Sequence, residues 1–138
     1  MKISKQKKIK ALIFIITCVI GFTIYLNLKN LHVKFYNKTG ENLDSLVIAE
    51  TFIGHLKKDN STEIIDFKDF YFDGTLPYEQ ISATIKGKKL NKLHWSWCGT
   101  NGNKKSKGSF IFDIKKQIDE KGNICLYLVE HNQKMFWE

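Results

Sequence analysis

The chain has 138 residues, 43% of them hydrophobic, with a formal net charge of +8 from 22 basic residues that are all lysine; that length supplies one domain core beside any membrane segment. Five lysines fall in the first ten residues, so the remainder carries 17 lysines against 14 acids, or +3, and the basicity is largely a topology signal. Without guanidinium groups the usual bidentate contacts to phosphates and base edges are missing, and no nucleic-acid partner is expected.

Residues 11–28 contain no charge, and as a helix they would extend about 27 Å, close to the thickness of a hydrocarbon core. Thr17 and Thr23 are tolerated there by bonding back to the helix backbone, and Tyr25 suits an interface. Lys2, Lys5, Lys7, Lys8 and Lys10 precede the run with no acid among them. That asymmetry predicts a single-pass protein with its N-terminus in the cytoplasm and the following domain periplasmic or extracellular. A cleaved signal peptide is the competing reading, but no small-x-small pattern closes the run, which also outlasts an ordinary signal core. Ile15-Ile16-Thr17 before Cys18 does not make a lipobox. The expected organisation is a basic cytoplasmic head at 1–10, a transmembrane signal anchor at 11–28 and an extracytoplasmic domain at 29–138.

Leu31, Val33 and Phe35 alternate with His32, Lys34 and Tyr36, the period of a strand with one face in a core. Residues 37–40 turn the chain. Residues 44–53 carry apolar side chains on both parities, Leu46, Ile48 and Phe52 against Val47, Ala49 and Ile53, which reads as one central strand covered on both faces. Residues 62–67 form a third strand, and Phe67, Phe70, Tyr71 and Phe72 roof the core before the turn signals Asp73-Gly74 and Pro77. Residues 79–86 place Ile81, Ala83 and Ile85 on one face, and Gly87-Lys88 makes a hairpin into 89–97, where Leu93, Trp95 and Trp97 share a side.

Residues 98–108 read as a long polar loop. Residues 109–115 then turn Phe110, Phe112 and Ile114 inward, with a short helix at 115–120 as an alternative to extended chain. Residues 124–130 close the set with Ile124, Leu126 and Leu128, and Phe136 and Trp137 in the tail extend that strand or plug the core. About seven short strands without an amphipathic helix give an all-β class: an immunoglobulin-like β-sandwich behind one transmembrane helix, with a small barrel as the alternative.

Chemistry-bearing residues are sparse. His94-Trp95-Ser96-Trp97-Cys98 combines a stacking pair with nucleophile atoms. Alternation turns Trp95 and Trp97 into the core, and no nucleophile elbow surrounds Ser96 or Cys98, so no catalytic residue is assigned. Asp66, Asp69 and Asp73 fit no calcium loop, and His32, His55, His94 and His131 share no ligand spacing, so no metal or cofactor is expected. Outside the cytoplasm Cys98 and Cys125, 27 residues apart, would close a disulfide contributing about 3 kcal/mol. Lys86, Lys88, Lys89 and Lys92, with Lys104, Lys105 and Lys107, would gather where a hairpin and the polar loop converge at one end of the sandwich. That end is the candidate contact surface, suited to an anionic glycan, a lipid head group or an acidic envelope protein.

The layout of a lysine-rich head, one apolar span and the phrase Leu76-Pro-Tyr-Glu-Gln-Ile-Ser-Ala-Thr-Ile-Lys-Gly-Lys-Lys-Leu90 resembles small uncharacterised membrane-anchored β-sandwich proteins of Bacteroidota. Asp44-Ser45-Leu46 is similar to the O-glycosylation acceptor of that group's exported proteins. The resemblance implies location and fold class, and no activity. The function expected is a membrane-tethered extracytoplasmic binding or assembly module. The alternatives are an envelope hydrolase working through His94 and a small accessory subunit whose span packs in a membrane complex.

Overall fold

The computed structural model describes residues 5–26, 28, 30–95 and 102–135. One helix, α1 (Lys5–Leu26), is followed by β1 (Asn30–Asn37), β2 (Leu43–Ile48), β3 (Thr51–Leu56), β4 (Ile65–Phe67), β5 (Phe70–Asp73), β6 (Leu76–Pro77), β7 (Ile81–Ile85), β8 (Lys88–Asn91), β9 (Gly102–Lys105), β10 (Lys107–Ile118) and β11 (Ile124–Glu130). The chain is therefore mostly β, with one apolar helix near its N-terminus. From Gln6 to Leu26 that helix is 21 residues, about 31 Å, apolar and long enough to cross a membrane. All of its described side chains are exposed. Its two threonines do bond backward, Thr17 Oγ1 to the Ile13 carbonyl at 3.0 Å and Thr23 Oγ1 to that of Val19 at 2.6 Å.

The strands make three sheets, ordered β11-β10-β1-β4, β3-β2-β7-β8 and β6-β5-β9. In the first, β1 runs parallel to β10 from Asn30↔Lys107 to Asn37↔Ile114, and antiparallel to β4 through Leu31↔Phe67. Among the described residues all three sheets are open and none closes into a barrel. They share one core. Leu31, Val33 and Phe35 from β1, Leu46 and Ile48 from β2, Phe70 and Phe72 from β5, Ile81 and Ile85 from β7, and Phe112 and Ile114 from β10 belong to a single buried cluster.

Aromatic rings hold its centre. Phe70 lies 5.5 Å from Phe112 and 5.4 Å from Phe67, and Phe35 meets Phe67 edge-on at 6.1 Å; such pairs add about 0.5–1.5 kcal/mol each beyond the area they bury. The other face of β11 is covered too, because Cys125, Tyr127 and Val129 pack with Leu93 and Met135 in a second cluster flanked by Leu76 and Trp95. A bridge from Lys92 to Leu126 joins the end of β8 to β11 at this corner.

Several expectations change. The stretch 44–53 is a hairpin rather than one central strand: β2 ends at Ile48, Ala49 and Glu50 turn with φ of +47° and +60°, and β3 returns with Val47 opposite Phe52. Its apolar residues occupy both parities because the chain reverses at Ala49-Glu50 and the register shifts by one residue between Leu46↔Gly54 and Val47↔Phe52, which leaves Ile53 as an extra residue on β3. The next hairpin turns on Lys86-Gly87, one residue earlier than expected, with Ile85 paired to Lys88. The span 98–108 is not simply a loop, since β9 pairs with β5 and β10 already begins at Lys107. Extended chain runs on to Ile118, where a short helix was the alternative. The described residues thus hold eleven strands, several very short, where about seven were expected. Trp97, Phe136 and Trp137 lie outside the described residues.

Candidate functional site

The register of β1 separates the lysines that were expected to converge. Lys107 pairs with Asn30, where β1 begins, and Lys105 pairs with Phe70 next to it. At the other end of β1, Lys86 on the β7–β8 hairpin bonds Glu41 at 2.8 Å, and Lys116 reaches the same carboxylate at 3.5 Å. The Lys86 hydrogen bond holds the Glu41 carboxyl below its ordinary value, and that of Lys86 is raised in return. Eight strand residues, about 25 Å, lie between the two groups, so the set is divided, although Lys92 and Lys104 line one groove. Lys88 and Lys89 remain exposed on the distant hairpin, whereas Lys105 lies over the Phe72 ring at 4.2 Å.

At the end where β1 begins there is a groove of about 660 Å³. One wall is the β2–β3 turn with Ala49, Glu50 and Thr51; a second is Asp66, Phe67, Lys68 and Asp69 between β4 and β5; Tyr71, Tyr78, Glu79 and Lys104 complete it around Lys92 and His94. Ala49 and Glu50 adopt left-handed backbone without being glycine, a conformation costing about 1 kcal/mol each. A smaller hollow of about 430 Å³ adjoins and shares Glu50, Gln80, Lys92 and His94.

Lys92 is the residue this geometry singles out. It is only 7% exposed, its Nζ donates to the Tyr78 carbonyl at 2.8 Å, and the ammonium stands 3.2 Å over the centre of the Tyr78 ring. Burial pulls its pKa down to about 8, against the opposing pull of Glu79 and Asp73. Burial likewise pushes the Tyr78 hydroxyl above its usual range. Tyr78 is 4.4 Å from Trp95, whose indole Nε1 donates to Asp73 at 3.1 Å, and 6.1 Å from Tyr71. Trp95 therefore packs half-buried beside Leu93, as alternation required, while His94 is exposed at the groove.

The groove's acids have different duties. Glu79 is fixed by two backbone amides, accepting from Tyr71 N–H and Gln80 N–H at 2.9 Å each. Asp69 accepts from Lys104 at 3.3 Å, and Asp66 pairs with His32. Asp66, Asp69 and Asp73 thus have separate partners, and among the described residues no three His, Cys, Asp or Glu side chains are grouped to hold a metal. Two other histidines also face acids, His55 with Asp44 and His131 with buried Asp113 at 2.7 Å.

Cys98 and Ser96 lie outside the described residues, and so does the expected disulfide. The Cys125 thiol is buried 3.7 Å from Asp119, and burial followed by that carboxylate pushes its pKa up. Sequence reasoning placed Lys92 in the contact surface, because the strand 89–97 was read with Leu93, Trp95 and Trp97 on its inward side; β8 ends at Asn91, and beyond it Lys92 and Leu93 are both buried. Compared with protein-family models, curated proteins and solved structures, the chain matches none, so its reading rests on the fold and this groove.

Proposed function

We propose that the chain is a single-pass membrane protein that holds a binding module on the extracytoplasmic side, with residues 1–10 in the cytoplasm and the groove around Lys92 as its ligand-contacting surface. The observation that carries the reading is a nearly buried ammonium set in an open groove at the end of the domain that follows an apolar, membrane-length helix. Burying an amine is costly, and a domain built for stability alone would place an aliphatic side chain there. Two four-stranded sheets that share one apolar core support reading the domain as an immunoglobulin-like sandwich, with the parallel β1–β10 pair as its departure from an antiparallel plan. The lysine-rich head supports the orientation.

Expression of the full chain in a bacterial host tests location. The protein is expected to stay in the membrane pellet through alkaline carbonate. A cysteine placed at exposed Lys88 (Lys88→Cys) is expected to react with a membrane-impermeant maleimide in intact spheroplasts. Release by carbonate, or labelling only after lysis, would reject the proposal.

A further inference from the structure

Resting on that tether, we infer that the groove seats the head group of a phospholipid from the bilayer that holds the anchor, with the phosphate on Lys92 and the lipid's amine among the groove's carboxylates.

Reach is the first support. Three residues separate Leu26 at the end of α1 from Asn30 at the start of β1, so the four steps between those two residues extend at most about 14 Å. The head-group layer on one side of a bilayer is about 5–8 Å deep, half the difference between its full and hydrocarbon thickness. The end of the domain where β1 begins is therefore held within about 10 Å of the head groups. Leu31 there pairs with Phe67, and the groove wall of Phe67, Lys68 and Asp69 continues from that pair.

Unfilled bonding capacity is the second. An ammonium carries three N–H donors, and Lys92 uses one on the Tyr78 carbonyl while the ring face takes its positive charge. At 7% exposure a further donor calls for an acceptor supplied from the groove, which Lys92 lines. A phosphate oxygen answers it with a charge-assisted bond. Charge of both signs is the third. Lys68 and Lys104 stand with Lys92, Lys104 in an ion pair with Asp69, whereas Glu50, Asp66 and Glu79 face the same space. A purely anionic ligand would meet those carboxylates uncompensated; a phosphodiester bearing an amine has a partner for each sign.

The experiment is lipid retention by the full chain in mild detergent, read by native mass spectrometry with phosphatidylethanolamine, phosphatidylglycerol or free glycerophosphoethanolamine added. Phosphatidylethanolamine is expected to be retained, and Lys92→Met to weaken retention about tenfold, the effect of one charge-assisted bond. The exposed pair Lys68→Ala with Lys104→Ala is expected to weaken it several-fold. Equal retention of both lipids, indifference to both variants, or binding of free glycerophosphoethanolamine as tight as that of the lipid would overturn the inference. Carbonate release would instead reject the tether, so the two failures are distinguishable.

Discussion

Lys92 gives the sharpest energetic prediction. Its pKa of about 8 in the fold, against 10.5 for a free lysine, means that the unfolded chain binds more protons between those values. Stability therefore rises with pH across that window: the penalty of the buried charge is fully present below pH 8 and is relieved as the amine deprotonates. Integrating the linkage relation with these two values gives a penalty of about 3.3 kcal/mol at pH 7 and about 2.0 at pH 9, a gain of about 1.3 kcal/mol. Lys92→Met removes the titrating group. It also removes the bond to the Tyr78 carbonyl and the ring contact, but these losses are offsets that largely cancel when one pH is compared with another. The assay is urea unfolding of wild type and variant at pH 7 and pH 9. For an m-value of about 1.5 kcal/mol per molar urea, the difference between their midpoints should move by about 0.9 M in favour of wild type. The raised pKa values of Cys125 and Tyr78 favour the fold less as pH climbs above 9 and 10, so the comparison stops at pH 9 and reads the difference between the two proteins. A difference that stays constant, or moves the other way, would refute the account of Lys92 as a charged, desolvated side chain.

Three further outcomes follow from the packing. In Gly102→Ala the new Cβ would fall 1.9 Å from the Tyr71 hydroxyl, so Tyr71 must leave its place in the groove; a loss of about 1–2 kcal/mol and altered Tyr71 ring resonances by NMR are expected. Asn37 is fully buried, and its amide serves the carbonyls of Glu41, Leu56 and Lys57 while its oxygen accepts from Thr39; Asn37→Ala should cost about 3 kcal/mol in chemical denaturation, since it strips partners from several buried groups at once. Replacing the left-handed pair Ala49-Glu50 by Asn-Gly should raise stability by about 1 kcal/mol in the same assay, because both positions then suit the hairpin turn.

The elements that alternated cleanly were legible. β1 and β7 were found because one face of each lies in the shared core, and period two records that directly; of the aromatic cluster Phe67, Phe70, Tyr71 and Phe72 read as its roof, the three phenylalanines are in the core and Tyr71 lines the groove. The β2–β3 hairpin escaped because its turn carries no glycine, asparagine or proline and a register shift scrambles the parity beside it. β9 escaped because Gly-Asn-Lys-Lys has no apolar residue to alternate, its place being set by pairing with β5 across the sheet edge. The groove depends on segments far apart in the chain, from Glu50 to Lys104, and on three strand registers, none of which local periodicity encodes.

The junction between α1 and the domain also has a mechanical meaning. The helix leads into β1, which lies inside its sheet between β10 and β4 rather than at an edge. A pull applied through the helix and resisted at the distant β7–β8 hairpin runs along β1, so the eight register pairs with β10 are loaded in shear together rather than peeled one after another. Such a domain is expected to yield to force in one high, cooperative rupture, and pulling across β10 and β11 instead should open it at a lower force.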